Sequence, residues 1–447
     1  MSLVARELAT APSLLAVHHT HPDTWPYLLA SSAPAGQLGR WSLLLRAADE
    51  APIVLAQLPA SGPDSDGFLE RLRAAIADVP PQQADRRFPF SGGWFVYLGY
   101  ELAGEIEPRL ELPAAADGLP VALARRCRSA LLFDHRDAKS WLVAEDAGEF
   151  DRASEELSQA EHAALPDEPA VAALDLSADA GEHFRTGVER IREYIRAGDV
   201  FQVNLSRGWE ARGDSAIDPV ALYRALARTN PAPFAALAKL PGGTVVSSSP
   251  ERLVSLDGRQ VQTRPIAGTR PRGSSPDDDS QLSGELISHP KERAEHIMLI
   301  DLERNDLGRV CRTGSVEVDE LMVIESYAHV HHIVSNVRGI LREDMTAADV
   351  IRAVFPGGTI TGCPKVRCME IIAELEGRGR GAYTGALGYL GLDGRMDLNI
   401  LIRSMVVRDR CITFRTGAGI VADSDPEAEL AETEDKARGL LAAIGHA

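Results

Sequence analysis

The sequence predicts an α+β protein with large, mostly antiparallel sheets and helices on the outside. Short apolar runs bounded by turn signals recur along the whole chain, as strands do. Amphipathic helical stretches fall among them, but without the regular alternation of a doubly wound fold. No segment repeats at a fixed period.

WSLLLRA (41–47), APIVLAQL (51–58) and GGWFVYLGYEL (92–102) read as strands, and FLERLRAAIADV (68–79) as a helix. Residues 159–182, QAEHAALPDEPAVAALDLSADAGE, are rich in Ala, Asp, Glu and Pro and read as a linker or exposed connection. It separates an N-terminal region, 1–158, from a larger region, 183–447. The second region opens on HFRTGVERIREYIRAGDV, with Val188, Ile191 and Ile195 at helical spacing. Strands follow at FQVNLSRGWEA, GGTVVSSS, RLVSLDG, YTGALGYLGL and ILIRSMVV. Helices follow at PKERAEHIMLIDLERNDLG, PKVRCMEIIAELEG and EAELAETEDKARGLLAAIG.

The chain has 447 residues, 45% hydrophobic and 25% charged, the balance of a globular protein with a sizeable core. A formal net charge of −18 argues against nucleic acid or an anionic membrane as partner. No apolar run approaches the ~20 residues of a membrane helix. The opening MSLVARELATAPSLLAVHHTHPD lacks the basic and apolar regions of a secretory signal, so a cytoplasmic enzyme is expected. The five cysteines form no CxxC pair, and neither zinc nor a disulfide framework is expected. An acidic chain can still bind a small anion if a metal or a local cluster of cations meets it.

Two helical stretches carry paired carboxylates. Glu292 and Glu295, and likewise Glu429 and Glu432, stand at i and i+3 and share a helix face. Such pairs are ordinarily solvated surface. If all four converge, Mg²⁺ is the natural occupant, because it takes few carboxylates, keeps waters and binds anionic substrate oxygens. FPGGTITGCPK (355–365) runs from a Gly-Gly turn into a helix opened by Pro364, and RTGAGIV (415–421) sets Gly417 and Gly419 around Ala418. Each is either a plain turn or bulge, or a place where backbone N–H groups approach a carboxylate. In HVHHIV, strand alternation puts His329 and His331 on one face and His332 on the other. That argues against a three-histidine metal site and leaves one histidine for proton or hydrogen-bond work. Arg403, among apolar residues in NILIRSMVV, is costly to bury without an anion, whether an internal carboxylate or a substrate. TRPIAGTRPRG (263–273) reads as a rigid cationic turn for an anion, yet Ala267 at its centre carries no functional group.

Together these stretches resemble the chorismate-utilising enzymes: anthranilate synthase component I, aminodeoxychorismate synthase component I, isochorismate synthase and salicylate synthase. The carriers are DVFQVNLSR, SSSPERL, RPIAGTRPRG, KERAEHIMLIDLERNDLGRV, HVHHIVSNV, FPGGTITGCPKVRCMEII, GALGYL, ILIRS and GAGIVADSDPEAELAET. They are dense from about Phe184 onward and thinner before it, in FSGGWFVYLGYEL. The resemblance implies a large sandwich of two packed sheets with helices outside. It implies Mg²⁺ on Glu295 and Glu432, assisted by Glu292 and Glu429, holding the ring carboxylate of chorismate. Gly417, Ala418 and Gly419 would cradle that carboxylate through their backbone. Tyr389 and Arg403 would hold the enolpyruvyl carboxylate, and Thr269, Thr361 and Lys365 would belong to the pocket. Glu251, in SPERL, matches the acid that helps the ring hydroxyl leave. His332 matches a histidine beside the ring.

Two positions bear on the reaction. Gln202 falls where the isochorismate and salicylate synthases have a lysine that activates water. A glutamine is no base, so ammonia is the expected nucleophile. Ala267 falls where many aminodeoxychorismate synthases carry a nucleophilic lysine and anthranilate synthases an alanine. FPGG, HH at 331–332 and LLAS (28–31), which lacks the glutamate of a tryptophan-sensing LLES, point to the aminodeoxychorismate branch. GAG at 417–419 and GRGRGAYTGALGY look anthranilate-like. The expected activity is aminodeoxychorismate synthase component I, with anthranilate synthase component I as the alternative. No cysteine sits in a glutaminase nucleophile turn, so a glutamine amidotransferase subunit, or free ammonia, is the implied nitrogen source.

Overall fold

The computed structural model describes residues 3–31, 39–58, 67–79, 85–161, 163–166, 174–273, 275–326 and 330–446. One long strand, Ala122–Asp134, organises the sheets. Its second half pairs with Lys139–Ala144 and with Trp41–Ala47. From Trp41–Ala47 an antiparallel ladder runs through Tyr27–Ala30, Phe234–Leu240, Gly243–Ser249, Ser404–Arg408 and Cys411–Ile420 to Gln202–Arg212. The first half of the long strand pairs with Gly93–Leu98. There a second antiparallel ladder starts, through Ala386–Gly391, Met396–Ile400, Arg252–Asp257 and Gln260–Thr263 to Val330–Ile340. Ile266–Pro271 and Glu317–Ser326 also pair with Val330–Ile340.

The two ladders share an apolar core that includes Leu43, Leu45, Tyr97, Leu132, Ala236 and Leu387. Tyr27 of one ladder stacks on Phe95 of the other with centroids 3.7 Å apart, a contact that ties the layers together. Ala147–Ala160, Pro219–Thr229 and Pro426–Ala443 cover one sheet. Phe68–Ala77, Ala347–Val354 and part of Pro290–Gly308 cover the other. This is the α+β two-sheet sandwich expected from the sequence.

Strands from before and after 159–182 interleave in both sheets. Tyr27–Ala30 pairs with Phe234–Leu240, and Gly93–Leu98 pairs with Ala386–Gly391. Within the stretch read as a connection, Asp175–Ala178 adds an edge strand to Gln202–Arg212. All five cysteines are free. Among the described residues no helix is long and apolar enough to cross a membrane.

Candidate active site

Gln202–Arg212 and Cys411–Ile420 lie side by side, with Gly417 opposite Ser206 and Gly419 opposite Asn204. Alternation sends Ala418 into an apolar cluster with Val203, Leu205 and Ile420, so Gly417 and Gly419 face the other way. A Cβ on Gly419 would lie 2.3 Å from Gln202 Nε2, and one on Gly417 would lie 2.7 Å from the Tyr383 hydroxyl. Only glycine lets these groups approach the strand so closely. Gln202 is buried and its Nε2 donates to Glu295 Oε1 at 2.8 Å. The side-chain amide oxygens of Gln202 and Asn204, and Glu251 Oε1, are buried with no hydrogen-bond partner. Each costs about 1–3 kcal/mol if nothing answers it. Their grouping marks a polar site built for a ligand.

The paired glutamates come from two helices. Pro290–Gly308 begins with a proline in its first turn. Pro426–Ala443 is capped by Asp425, whose carboxylate accepts from the N–H groups of Glu427 and Ala428. Burial raises Glu295 above the ordinary carboxylate range. The Gln202 bond opposes this, while the charges of Glu292 and Glu432 add to it. Glu292 and Glu432, from two different helices, therefore both act on Glu295. Glu429 is buried, and Glu432 pairs with Lys436 at 2.5 Å. Lys436 Nζ also donates to the Gly417 carbonyl at 3.0 Å. Among the described residues no three acidic, histidine or cysteine side chains stand close enough to form a complete metal cage.

Glu251 sits between two strands, 5% exposed, and burial pushes its carboxyl up to about 7, against the opposing effect of the Thr359 hydroxyl. His332 is pushed down to about 4 by burial and is neutral at pH 7. Its Nδ1 lies 3.4 Å from the Gly268 carbonyl; donating there leaves Nε2 as an acceptor. Its neighbour His331 faces the other way, bonded to Ser326 and Asp279. His329 lies outside the described residues. Arg403 is half-buried, at a backbone φ of 52°, with no ion-pair partner among the described residues. Burial lowers its proton affinity, and Tyr383 is the first group to oppose that.

The sequence TRPIAGTRPRG is not a free cationic turn. Ile266–Pro271 is a strand, and protein carboxylates take the arginines: Glu320 and Glu325 hold Arg264, Glu292 meets Arg270 at 3.4 Å, and Asp279 holds Arg272 at 2.8 Å. Ala267 is buried opposite Ile333, beside a bulge at Gly268, whose φ is +69°. Thr269 pairs through its backbone with His332; its side chain lies outside the described set.

A family model described as chorismate binding enzyme matches residues 42–442. The chain belongs to this family of chorismate-utilising enzymes. It is 47% identical over 382 residues to an anthranilate synthase component I-like protein of Synechocystis sp., covering 84% of this chain and 78% of that one. It is 42% identical to aminodeoxychorismate synthase component 1 of Bacillus subtilis, over 81% of this chain and 79% of the other. The crystal structure of anthranilate synthase component I from Streptococcus pneumoniae superposes with a TM-score of 0.77 at 34% identity, covering 90% and 92% of the two chains. The menaquinone-specific isochorismate synthase of Escherichia coli, at 17% identity, shares the fold, with a TM-score of 0.76 over 99% of this chain and 94% of that one.

Within this chorismate-binding enzyme, three sequence expectations need correction. Tyr389 is not the tyrosine beside Arg403. It lies on Ala386–Gly391 against Phe90, lining a separate cavity with Arg252 and Asp397, whereas Tyr383 is the tyrosine beside Arg403 and Gly417. Thr361 turns its hydroxyl back onto the Gly357 carbonyl at 2.9 Å; the Thr359 hydroxyl, buried without a hydrogen-bond partner, is the one whose influence reaches Glu251. Lys365 is bound to Asp306 at 2.5 Å and to the Val354 carbonyl at 3.1 Å, so its charge is spent on the protein. Lys436, missed in the sequence, is the lysine at the glycine strand. Its spacing from Glu432, i to i+4, is that of an ordinary surface pair on a helix.

Proposed function

We propose that the chain is aminodeoxychorismate synthase component I, which joins ammonia to chorismate to give 4-amino-4-deoxychorismate. The observation that carries amination is the Gln202–Glu295 bond. An amide tied to a carboxylate offers no base for water, while ammonia brings its own lone pair. Glu251, held protonated near neutral pH by burial, gives its proton to the departing ring hydroxyl. Arg403 and Tyr383 meet the enolpyruvyl carboxylate, and the backbone of Gly417 to Gly419, with Lys436, meets the ring carboxylate. In donor chemistry the four glutamates suit Mg²⁺, which takes hard carboxylate oxygens and fills its remaining positions with waters and substrate. Glu295 is raised by burial and then by the charges of Glu292 and Glu432, and Glu429 stands beside Glu432 at i and i+3. The ion would supply positive charge to the ring carboxylate. An amidotransferase subunit would deliver the ammonia.

Amination at C4 is supported by Ala30, in LLAS, which lines a cavity of about 230 Å³ with Phe234 and Tyr389. It offers no carboxylate to an amino group, and Asp397 in the same cavity is held by Arg252 at 2.7 Å. FPGG is weaker support, because a Cβ on Gly357 would meet Ile400, Leu253 and Ile360, a matter of packing. A second reading, anthranilate synthase component I, is favoured by Ala267, whose buried methyl leaves no nucleophilic amine in the strand. Incubation with chorismate, Mg²⁺ and a high ammonium concentration at alkaline pH separates the two. A product that a lyase converts to 4-aminobenzoate supports C4 amination. Direct release of fluorescent anthranilate establishes the second reading. No aminated product removes both.

A further inference from the structure

Arg380, between Lys365–Glu376 and Ala386–Gly391, is 4% exposed and has no part in the reaction as described. Its side chain nevertheless touches three pieces of the site, and all five of its N–H donors are answered. Nε and Nη2 fork onto Glu376 at 3.1 and 2.6 Å. Nη2 also donates to the Asn204 carbonyl at 2.7 Å, and Asn204 stands opposite Gly419 in the glycine strand. Nη1 donates to the Ile360 carbonyl at 3.2 Å and to the Thr384 hydroxyl at 3.4 Å. The guanidinium carbon lies over the rings of Tyr100 and Tyr383, 5.0 and 5.6 Å from their centroids. A planar group with five directed donors and two ring contacts has one orientation, which an ammonium cannot reproduce. Glu376 answers its charge, so Arg380 acts through these neighbours.

The turn it holds is strained. Thr384 has a φ of 61°, a left-handed backbone that a β-branched residue rarely adopts. Its hydroxyl donates to the Tyr383 carbonyl at 2.5 Å while accepting from Arg380. The Tyr383 N–H returns to the Arg380 carbonyl at 3.1 Å. Such strain persists only where the surroundings fix it. The residue so fixed reaches the glycine strand: a Cβ on Gly417 would lie 2.7 Å from the Tyr383 hydroxyl and 3.0 Å from Asn204 Oδ1.

We infer that Arg380 is a positioning residue that aims the Tyr383 hydroxyl at the glycine strand, by holding the strained Thr384 turn and the Asn204 backbone in one register. This rests on the reading above that Tyr383 and Gly417 to Gly419 receive the two carboxylates of chorismate. Those carboxylates belong to one small molecule, so the tyrosine and the strand that meet them must keep a set spacing. Arg380 is bonded to both sides of that gap.

The test is a double-mutant cycle read as chorismate affinity, measured by calorimetry with Mg²⁺ and without ammonia, so that no turnover is needed. Arg380→Lys keeps a cation for Glu376 and loses the fork and the ring contacts. It is expected to raise Kd for chorismate about tenfold, with kcat at saturating chorismate within about threefold of wild type. Tyr383→Phe is expected to raise Kd about tenfold in the wild type, but less than about twofold when Arg380→Lys is already present, because the hydroxyl is then no longer aimed. Effects that multiply to about a hundredfold overturn the inference, as a merely structural role would give two independent losses. So does an Arg380→Lys protein that binds chorismate as the wild type does. If Arg380→Lys does not fold, Thr384→Val decides: it keeps the shape and removes the hydroxyl that links Arg380 to Tyr383. A rise in Kd of about threefold, again coupled to Tyr383→Phe, supports the inference, and an unchanged Kd overturns it. A Tyr383→Phe protein that binds like the wild type removes the underlying reading of Tyr383, and the inference falls with it.

Discussion

Gln202 Nε2 and Glu295 Oε1 are joined at 2.8 Å across 93 positions of sequence. The amide steers a carboxylate of the proposed metal site while leaving its own buried carbonyl oxygen open. Gln202→Leu removes the donor and strands Glu295, a change worth about 1–3 kcal/mol. The expected outcome is a higher Mg²⁺ requirement for turnover with little change in melting temperature, measured by titrating the metal.

The glycine strand makes a contrast within three residues. Gly419→Ala puts a methyl 2.3 Å from Gln202 Nε2 and is expected to cut turnover at least tenfold in a folded protein. Ala418→Gly only trims a buried methyl, costs about 1 kcal/mol of stability, and leaves turnover nearly intact. Kinetics and thermal melts on both variants check this.

Tyr383 and Tyr389 are six residues apart; the Tyr383 hydroxyl reaches the Gly417 strand, whereas Tyr389 lines a cavity with Arg252 and Asp397. Tyr383→Phe removes one hydrogen bond to a charged group, about 1.5–3 kcal/mol, and is expected to raise KM for chorismate at least tenfold. Tyr389→Phe is expected to leave KM within about twofold.

Glu251 gives a pH-dependent stability effect. Burial lifts its carboxyl from the ordinary glutamate value to about 7, so the fold resists its ionisation. The penalty begins as pH rises past the unfolded value, grows to about pH 7 and then stays constant. Glu251→Gln is expected to stabilise the protein at pH 8 by on the order of 3 kcal/mol, to be neutral near pH 4, and to abolish turnover. Denaturant titrations at the two pH values measure it.

Glu376 behaves in the opposite sense. Burial alone would raise it, but Arg380 at 2.6 Å and Arg415 at 2.9 Å outweigh that and hold it below its ordinary value. Its contribution is present above the ordinary glutamate value and is lost as pH falls through it toward the lower folded one. Breaking the pair with Glu376→Gln is expected to cost about 3–5 kcal/mol at pH 7, with the gap to wild type closing in acid. Arg380 also donates to the carbonyls of Asn204 and Ile360, so chorismate binding should weaken in parallel.

Much of this was legible in the residues. The i, i+3 glutamates, the glycine alternation and the isolated Arg403 each follow from a helix or strand period. Errors arose where period gives no direction. Tyr389, the tyrosine that the family resemblance implied, sits in a regular strand, whereas Tyr383 sits in a turn next to Thr384, whose φ is 61°. Thr359 and Thr361 share one short turn, and only its packing decides which hydroxyl faces inward. The arginines of TRPIAGTRPRG looked free because Glu292, Glu320 and Glu325 come from other segments. Which carboxylate meets which cation is a tertiary fact.

The pairing of Cys411–Ile420 with Gln202–Arg212 also fixes an order in time. Its buried contacts join residues 209 positions apart, and Lys436 comes later still. During synthesis the helix bearing Glu292 and Glu295 emerges long before the strand and helix that complete the pocket. A growing chain therefore has no complete place for chorismate until the residues from Tyr383 to Lys436 have left the ribosome. The substrate cannot chaperone the early stages of folding, and the exposed edge of Gln202–Arg212 must wait for its partner, the interval in which such an edge is most prone to pair wrongly.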